Sequence, residues 1–203
     1  MIEETIRNIF YNAWPMIAIF SIIIISIRVT QIILNKEKLV LYKEIINLGF
    51  IIYLLCLFHV VTFQDVSWSS SNFIPFKEMF RYEFASPLFF KNVICNMMMF
   101  LPYGFFISFY LKLRKAPVAF ILSLFASITI ETTQLLIGRV FDIDDIILNV
   151  IGGMFGFYIY DFLCDFKDHL PAKLKNNILY DTVVIILVGL MIYYLFSVVR
   201  IGG

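Results

Sequence analysis

Residues 8–27 read NIFYNAWPMIAIFSIIIISI, twenty consecutive positions without a charge. A helix needs about 20 predominantly apolar residues to cross roughly 30 Å of hydrocarbon, so this stretch alone is long enough. Working outward, Ile45–Gln64 and Asn92–Leu111 are also free of charge. Ala116–Gly138 carries only Glu131, Ile146–Cys164 only Asp161, and Thr182–Val199 none. The pattern predicts an all-α, polytopic membrane helix bundle of about six transmembrane helices. Composition agrees: 61% of residues are hydrophobic and 15% charged, against about 45–50% and about 25% in soluble domains. Mean hydropathy is +0.89. Sixteen basic and fifteen acidic residues leave a net charge of +1, no basis for a nucleic-acid partner. Cys56, Cys95 and Cys164 share no metal-binding spacing and fall in or beside apolar runs, so they read as small buried hydrophobes. Glu3 and Glu4 do not suit a signal-peptide n-region, and the first apolar run is expected to stay as a helix.

Connections between spans alternate sides. One side collects Arg28, Lys36, Lys38, Lys43, Lys112, Arg114, Lys115, Lys167, Lys173 and Lys175, ten cations; the other collects Arg7, Lys77, Arg81, Lys91, Arg139 and Arg200, six. Cytoplasmic loops carry the excess of Lys and Arg, which places the segments around 65–91 and 139–145 outside. The expected organisation is two N-terminal spans over 1–64, a core of outer loop and three spans over 65–164, and a last span over 165–203. In the outer loop Phe76, Met79, Phe80 and Phe84 recur at helical spacing after Ser69–Asn72 and Pro75. That spacing suits a short interfacial helix with an aromatic face, and equally a hydrophobic loop packed on the bundle.

Polar side chains inside lipid are costly and point to function. Glu131 lies on the order of 10 Å below the outer end of its span, with Gln134 on the same face at i+3. Asn96 and Asn149 lie roughly 5–6 Å deep in theirs, and His59 is five residues from the same end of the second span. Asn92 and Asn96 form a stripe, after which Pro102 interrupts the backbone ladder. Asn149, Gly152, Gly153 and Gly156 share a face that lets another backbone approach. Asp145, one turn before Asn149, sits at a helix N-terminus where a carboxylate is favoured. The link Arg139-Val-Phe-Asp142-Ile-Asp144-Asp145 adds one cation and three acids. Together they predict a polar cavity open to the outer leaflet. A carboxylate as deep as Glu131 must be paired or protonated, and Arg139 is the cation within reach. The bland alternative is that Asn96, Gln134 and Asn149 are interhelical hydrogen bonds worth about 0.6 kcal/mol each.

These residues resemble the VanZ-like family of bacterial membrane proteins. The similarity runs through Asn72-Phe-Ile-Pro75-Phe76, then Asn92-Val-Ile-Cys-Asn96 to Pro102-Tyr-Gly104, then Glu131-Thr-Thr-Gln134 through Asp142-Ile-Asp144-Asp145 to Asn149-Val-Ile-Gly152-Gly153. It covers about Asn72–Leu163. The resemblance implies the bacterial cytoplasmic membrane and its envelope, and a link to teicoplanin resistance. It supplies no reaction.

Three functions compete. The first is a non-catalytic protein that binds an amphiphile from the outer leaflet, a lipid-linked cell-wall precursor or a lipoglycopeptide. Its candidate contacts are Asn92, Asn96, Glu131, Gln134, Arg139, Asp142, Asp145, Asn149, Phe76 and Phe80, with membrane lipids as surroundings. The second is an intramembrane enzyme on an envelope lipid, with Glu131 as general base and Asp142 or Asp145 as electrostatic partner or metal ligand. The third is a proton-coupled transporter using Glu131. No Ser/His/Asp order, His-x-x-x-His or glycine-rich phosphate loop is present, and no cofactor or metal is expected. The topology is testable. In a background without native cysteines, Val140→Cys should react with an impermeant thiol reagent from outside and Ala116→Cys should not; the reverse result would invert the bundle.

Overall fold

The computed structural model describes residues 2–63, 71–77, 79–84 and 86–169, together with 178, 181–182 and 185–186. Five helices account for nearly all of it: α1 Ile2–Asn35, α2 Leu41–Phe63, α3 Pro87–Leu111, α4 Ala116–Leu136 and α5 Ile143–His169. All five are long and apolar enough to cross a membrane. The sixth expected span, Thr182–Val199, lies almost entirely outside the described residues. Helices are the solution a lipid solvent demands, because each satisfies its own backbone groups. No strand occurs among the described residues, only an isolated parallel bridge between Asn72 and Asp142.

Sequence marks the helix boundaries. Ser86 caps α3, its Oγ accepting the Phe89 N–H at 3.1 Å, with Pro87 in the first turn. The helix therefore starts five residues before the charge-free run. It widens into a π-type turn over Phe90–Ile94, where the Cys95 N–H reaches back to the Phe90 carbonyl. The turn contains Asn92, and π-type turns are found frequently at functional sites. The helix ends at Lys112, left-handed at φ 51. Pro117 opens α4 in its first turn. At the far end of α4, Gly138 takes φ 84. There the Arg139 N–H reaches the Gln134 carbonyl at 2.9 Å and the Gly138 N–H the Leu135 carbonyl at 3.1 Å, the paired closure that a left-handed glycine allows.

The aromatic segment after α2 departs from the helical shape that its spacing suits. Instead of an amphipathic α-helix, the structure has one 3-10 turn, Met79–Arg81. Phe76, in the left-handed region at φ 65, precedes it. Asp144 on α5 takes up the Phe76 and Met79 N–H groups, while the Phe80 N–H reaches the Phe76 carbonyl at 3.2 Å.

The chain forms two compact units. One comprises Met1–Ala13 with Tyr53–Phe166, the other Trp14–Ile52 with Lys167–Gly203. In the second unit Arg28 grips Glu44 with two prongs, Nε to Oε2 at 2.9 Å and Nη2 to Oε1 at 2.8 Å, and lies 3.1 Å from Glu37. The Tyr42 N–H is capped by Asp181 at 2.7 Å. In the first unit α5 is the central helix, with Ile146, Leu148, Val150, Phe157 and Tyr160 buried. Its glycine face packs backbone to backbone on α3. A Cβ on Gly152 would lie 2.0 Å from the Met97 carbonyl oxygen, and one on Gly156 2.1 Å from that of Leu101.

The glycine seam makes a quantitative prediction. Overpacking a close contact costs about 1–3 kcal/mol, and here the obstacle is backbone. Gly156→Ala should lower the thermal midpoint of the detergent-solubilised protein. Gly49→Ala in α2, where a Cβ meets nothing within 4 Å, should be neutral or gain up to about 1 kcal/mol of helix propensity.

Candidate functional site

The turn between α4 and α5 and the segment after α2 meet at one end of the first unit. Asn72 organises the meeting. Its N–H donates to the Phe141 carbonyl at 2.8 Å, and its own carbonyl accepts the Ile143 N–H at 3.0 Å. Its side-chain amide donates to Asp142 Oδ1 at 2.9 Å, and its Oδ1 accepts the Ile74 N–H at 3.1 Å. Phe73 stacks on Phe141 with ring centroids 5.3 Å apart. Every polar group of Asn72 is thereby used, as its burial requires.

The acids of the α4–α5 turn divide their labour. Asp142 caps α5, Oδ1 also accepting the Asp144 N–H at 2.9 Å. Asp144, 1% exposed, reaches under the aromatic segment. It accepts the Phe76 N–H at Oδ1 and the Met79 N–H at Oδ2, the latter at 3.0 Å. Asp145 turns to α3, where Oδ1 accepts from Asn96 Nδ2 at 2.5 Å. All three acids stand in or beside the first turn of α5, where its dipole favours negative charge.

Glu131, 2% exposed, accepts the Asp142 N–H at Oε2, 3.1 Å away. Arg139 does not form an ion pair with it among the described residues. The guanidinium caps the last turn of α2 instead, donating to the carbonyls of Val61 at 2.6 Å and Val60 at 3.3 Å. Both carbonyls belong to the last described turn of α2, and a cation suits that end of a helix dipole. Deeper in, Asn149 Nδ2 donates to Ser127 Oγ at 3.1 Å. Asn149 Oδ1 and Ser123 Oγ are buried with no partner among the described residues.

A cavity of about 610 Å³ opens at this end. Asn92, Asn96, Asp142 and Asp145, all expected in the site, line it, as do Asn72, Asp144, Met79, Arg81, Tyr82 and Leu88. Glu131, Asn149 and Arg139 are not among its lining residues. Gln134 is half-buried, and its side chain bonds to no described residue. Phe76 and Phe80 belong to the segment that forms one wall and expose their rings, Phe80 at 83%. His59 packs on Phe63, ring centroids 5.3 Å apart, and is not part of the lining. The sequence reading did not select Asn72, Asp144, Arg81, Tyr82 or Ser127 as site residues. Ser127 had a signal, standing one turn before Glu131 on the buried face of α4. Among the described residues no three His, Cys, Asp or Glu side chains are placed to hold a metal ion.

A family model described as VanZ/LLP1 matches residues 50–164, more than half of the chain. The match takes in the second half of α2 and nearly coincides with the Tyr53–Phe166 part of the first compact unit. No curated protein and no solved structure matches.

The Glu131 contact can be tested locally. Loss of a buried acceptor costs about 1–3 kcal/mol. Glu131→Ala should release the turn and speed alkylation of Val140→Cys roughly tenfold, since about 1.4 kcal/mol is a factor of ten. Glu131→Gln retains an acceptor oxygen and should stay within about twofold of the parent rate, the difference between a neutral and a charge-assisted bond aside.

Proposed function

Because the chain belongs to the VanZ/LLP1 family, we propose that it is a multi-pass protein of the bacterial cytoplasmic membrane that binds an amphiphile from the outer leaflet without transforming it. The observation that supports this reading is the cavity: polar on the α3 and α5 side, and bordered by a segment of exposed aromatic rings. About 300–1,000 Å³ is the ordinary range for small-molecule sites, and this cavity measures about 610 Å³. The segment that gives Asn72, Met79, Arg81 and Tyr82 to the wall also exposes Phe73, Ile74, Phe76, Phe80 and Phe84. A head group has amides and carboxylates to meet, and an acyl chain has rings to lie against. The ten-to-six distribution of cations supports an outer placement of this end.

The ligand class is an envelope amphiphile, either a lipid-linked cell-wall precursor or a lipoglycopeptide such as teicoplanin. Tolerance to such an antibiotic follows if occupancy of the site keeps the drug from its target. In this reading Glu131 is a positioning residue: it holds the Asp142 backbone, and through it the α5 cap, in place.

Expression in a glycopeptide-sensitive bacterium tests the proposal. The parent protein should raise tolerance to teicoplanin but not to a glycopeptide without an acyl tail. Asn96→Leu and Phe80→Ala should each abolish the gain at unchanged membrane abundance, since removing an anchor residue costs about 2 kcal/mol or more, roughly 30-fold in affinity. Lipid extracts from cells with and without the protein supply the decisive comparison. An envelope lipid that appears or disappears in a Glu131-dependent manner would establish an enzyme and overturn the binding reading.

A further inference from the structure

We propose that the polar end of the cavity selects a primary ammonium head group on the bound amphiphile. This rests on the binding reading above and narrows it to one head-group chemistry. The cavity wall carries three carboxylates, Asp142, Asp144 and Asp145, against one guanidinium, Arg81. Two of the three are committed to holding the fold. Asp142 accepts from Asn72 and from the Asp144 backbone, and Asp144 gives both its oxygens to the Phe76 and Met79 N–H groups.

Asp145 is different. Its Oδ1 accepts from Asn96, whereas its Oδ2 meets no donor among the described residues, on a side chain that faces the cavity. One turn away on α3, Asn92 stands on the same wall, its amide bonded to no described residue. Asp145 of α5 and Asn92 of α3 thus line one space, with Tyr82 also on its wall. An ammonium carries three donors and no acceptor, which suits acceptors presented this way. It also offsets the excess negative charge, and a tyrosine ring adds cation–π attraction. A phosphate head would meet repulsion from three carboxylates, opposed among the described lining residues by Arg81, the kind of mismatch that excludes wrong partners. A hydroxyl head would hydrogen-bond but leave the Asp145 charge uncompensated.

The test uses the full chain in phosphatidylcholine nanodiscs and three photoreactive amphiphiles with one common C12 chain. They end in a primary ammonium, a hydroxyl or a phosphate. Cross-linking to residues 71–96 is quantified by mass spectrometry. The ammonium probe should label this segment roughly tenfold more than the hydroxyl probe, as befits a charge-assisted hydrogen bond. Asp145→Asn should remove that preference, the ammonium labelling falling to the level of the hydroxyl labelling in the same variant. Asn92→Asp, which adds a carboxylate to the same wall, should increase it, so the proposal remains testable if Asp145→Asn fails to fold. Equal labelling by the ammonium and hydroxyl probes, strongest labelling by phosphate, or a preference that survives Asp145→Asn would each overturn the ammonium assignment and leave amphiphile binding standing. Ethanolamine, which has the head group without the chain, separates the other failure. It should not displace the ammonium probe at concentrations where dodecylamine does. Displacement by both alike would overturn the amphiphile reading and leave the ammonium preference intact.

Discussion

Irregular backbone at the end of a membrane bundle is tolerated only when its N–H groups find partners, and in this protein carboxylates supply them. Glu131 takes the N–H of Asp142, Asp142 that of Asp144, and Asp144 those of Phe76 and Met79. The sequence of contacts runs from the buried face of α4, through the α4–α5 turn, to the segment after α2. Each buried N–H left without an acceptor would cost about 1–3 kcal/mol, so the links support one another. The acids are therefore structural before they are anything else. A charge excess at one end of the molecule is what remains after the backbone has been served.

The glycine seam and the polar site are consequences of one another. Asn96 can reach Asp145 only because α3 and α5 approach until a single Cβ at Gly152 or Gly156 would strike a carbonyl. On the other flank α4 presents Ala119, Ser123, Ser127 and Glu131 to the interior at four-residue intervals. The small residues admit α5 closely, and the end of the same stripe delivers a carboxylate to the turn. Close packing sets the depth at which the polar groups meet, and the aperiodic loop closes over them.

The five spans were legible because a twenty-residue run without charge has few other destinations than a membrane. The concentration of polar residues at one end was legible for the same reason: inside lipid each one stands out. Partner choice was not legible. Arg139 reads as the natural counter-ion of Glu131 from spacing alone, yet the carbonyls at the end of α2, far away in sequence, claim it. Asp144 was indistinguishable from its neighbours until the fold put it beneath Phe76, and Asn72 until it bridged to Asp142. The aromatic spacing of Phe76, Phe80 and Phe84 suggested a helix, and long-range acceptors on α5 overrode that local preference. Periodicity reports which face a residue occupies within an element. It does not report what another element will bring to that face.

The cavity walls differ in kind, and that difference bears on what the site can discriminate. Asn92, Asn96 and Asp145 stand on helices locked by backbone contact, so a head group bound as proposed would meet fixed acceptors. Phe76 and Phe80 stand on a segment with one 3-10 turn, tied to α5 through Asp144 and Asn72. Rings exposed on such a segment contribute area without demanding one chain length or branching pattern, because apolar contact is non-directional. On that reading, stringency toward the polar head and tolerance toward the apolar tail would follow from where the secondary structure stops. On the proposed binding reading, such a site would serve a class of amphiphiles that share a head-group chemistry and differ in their chains.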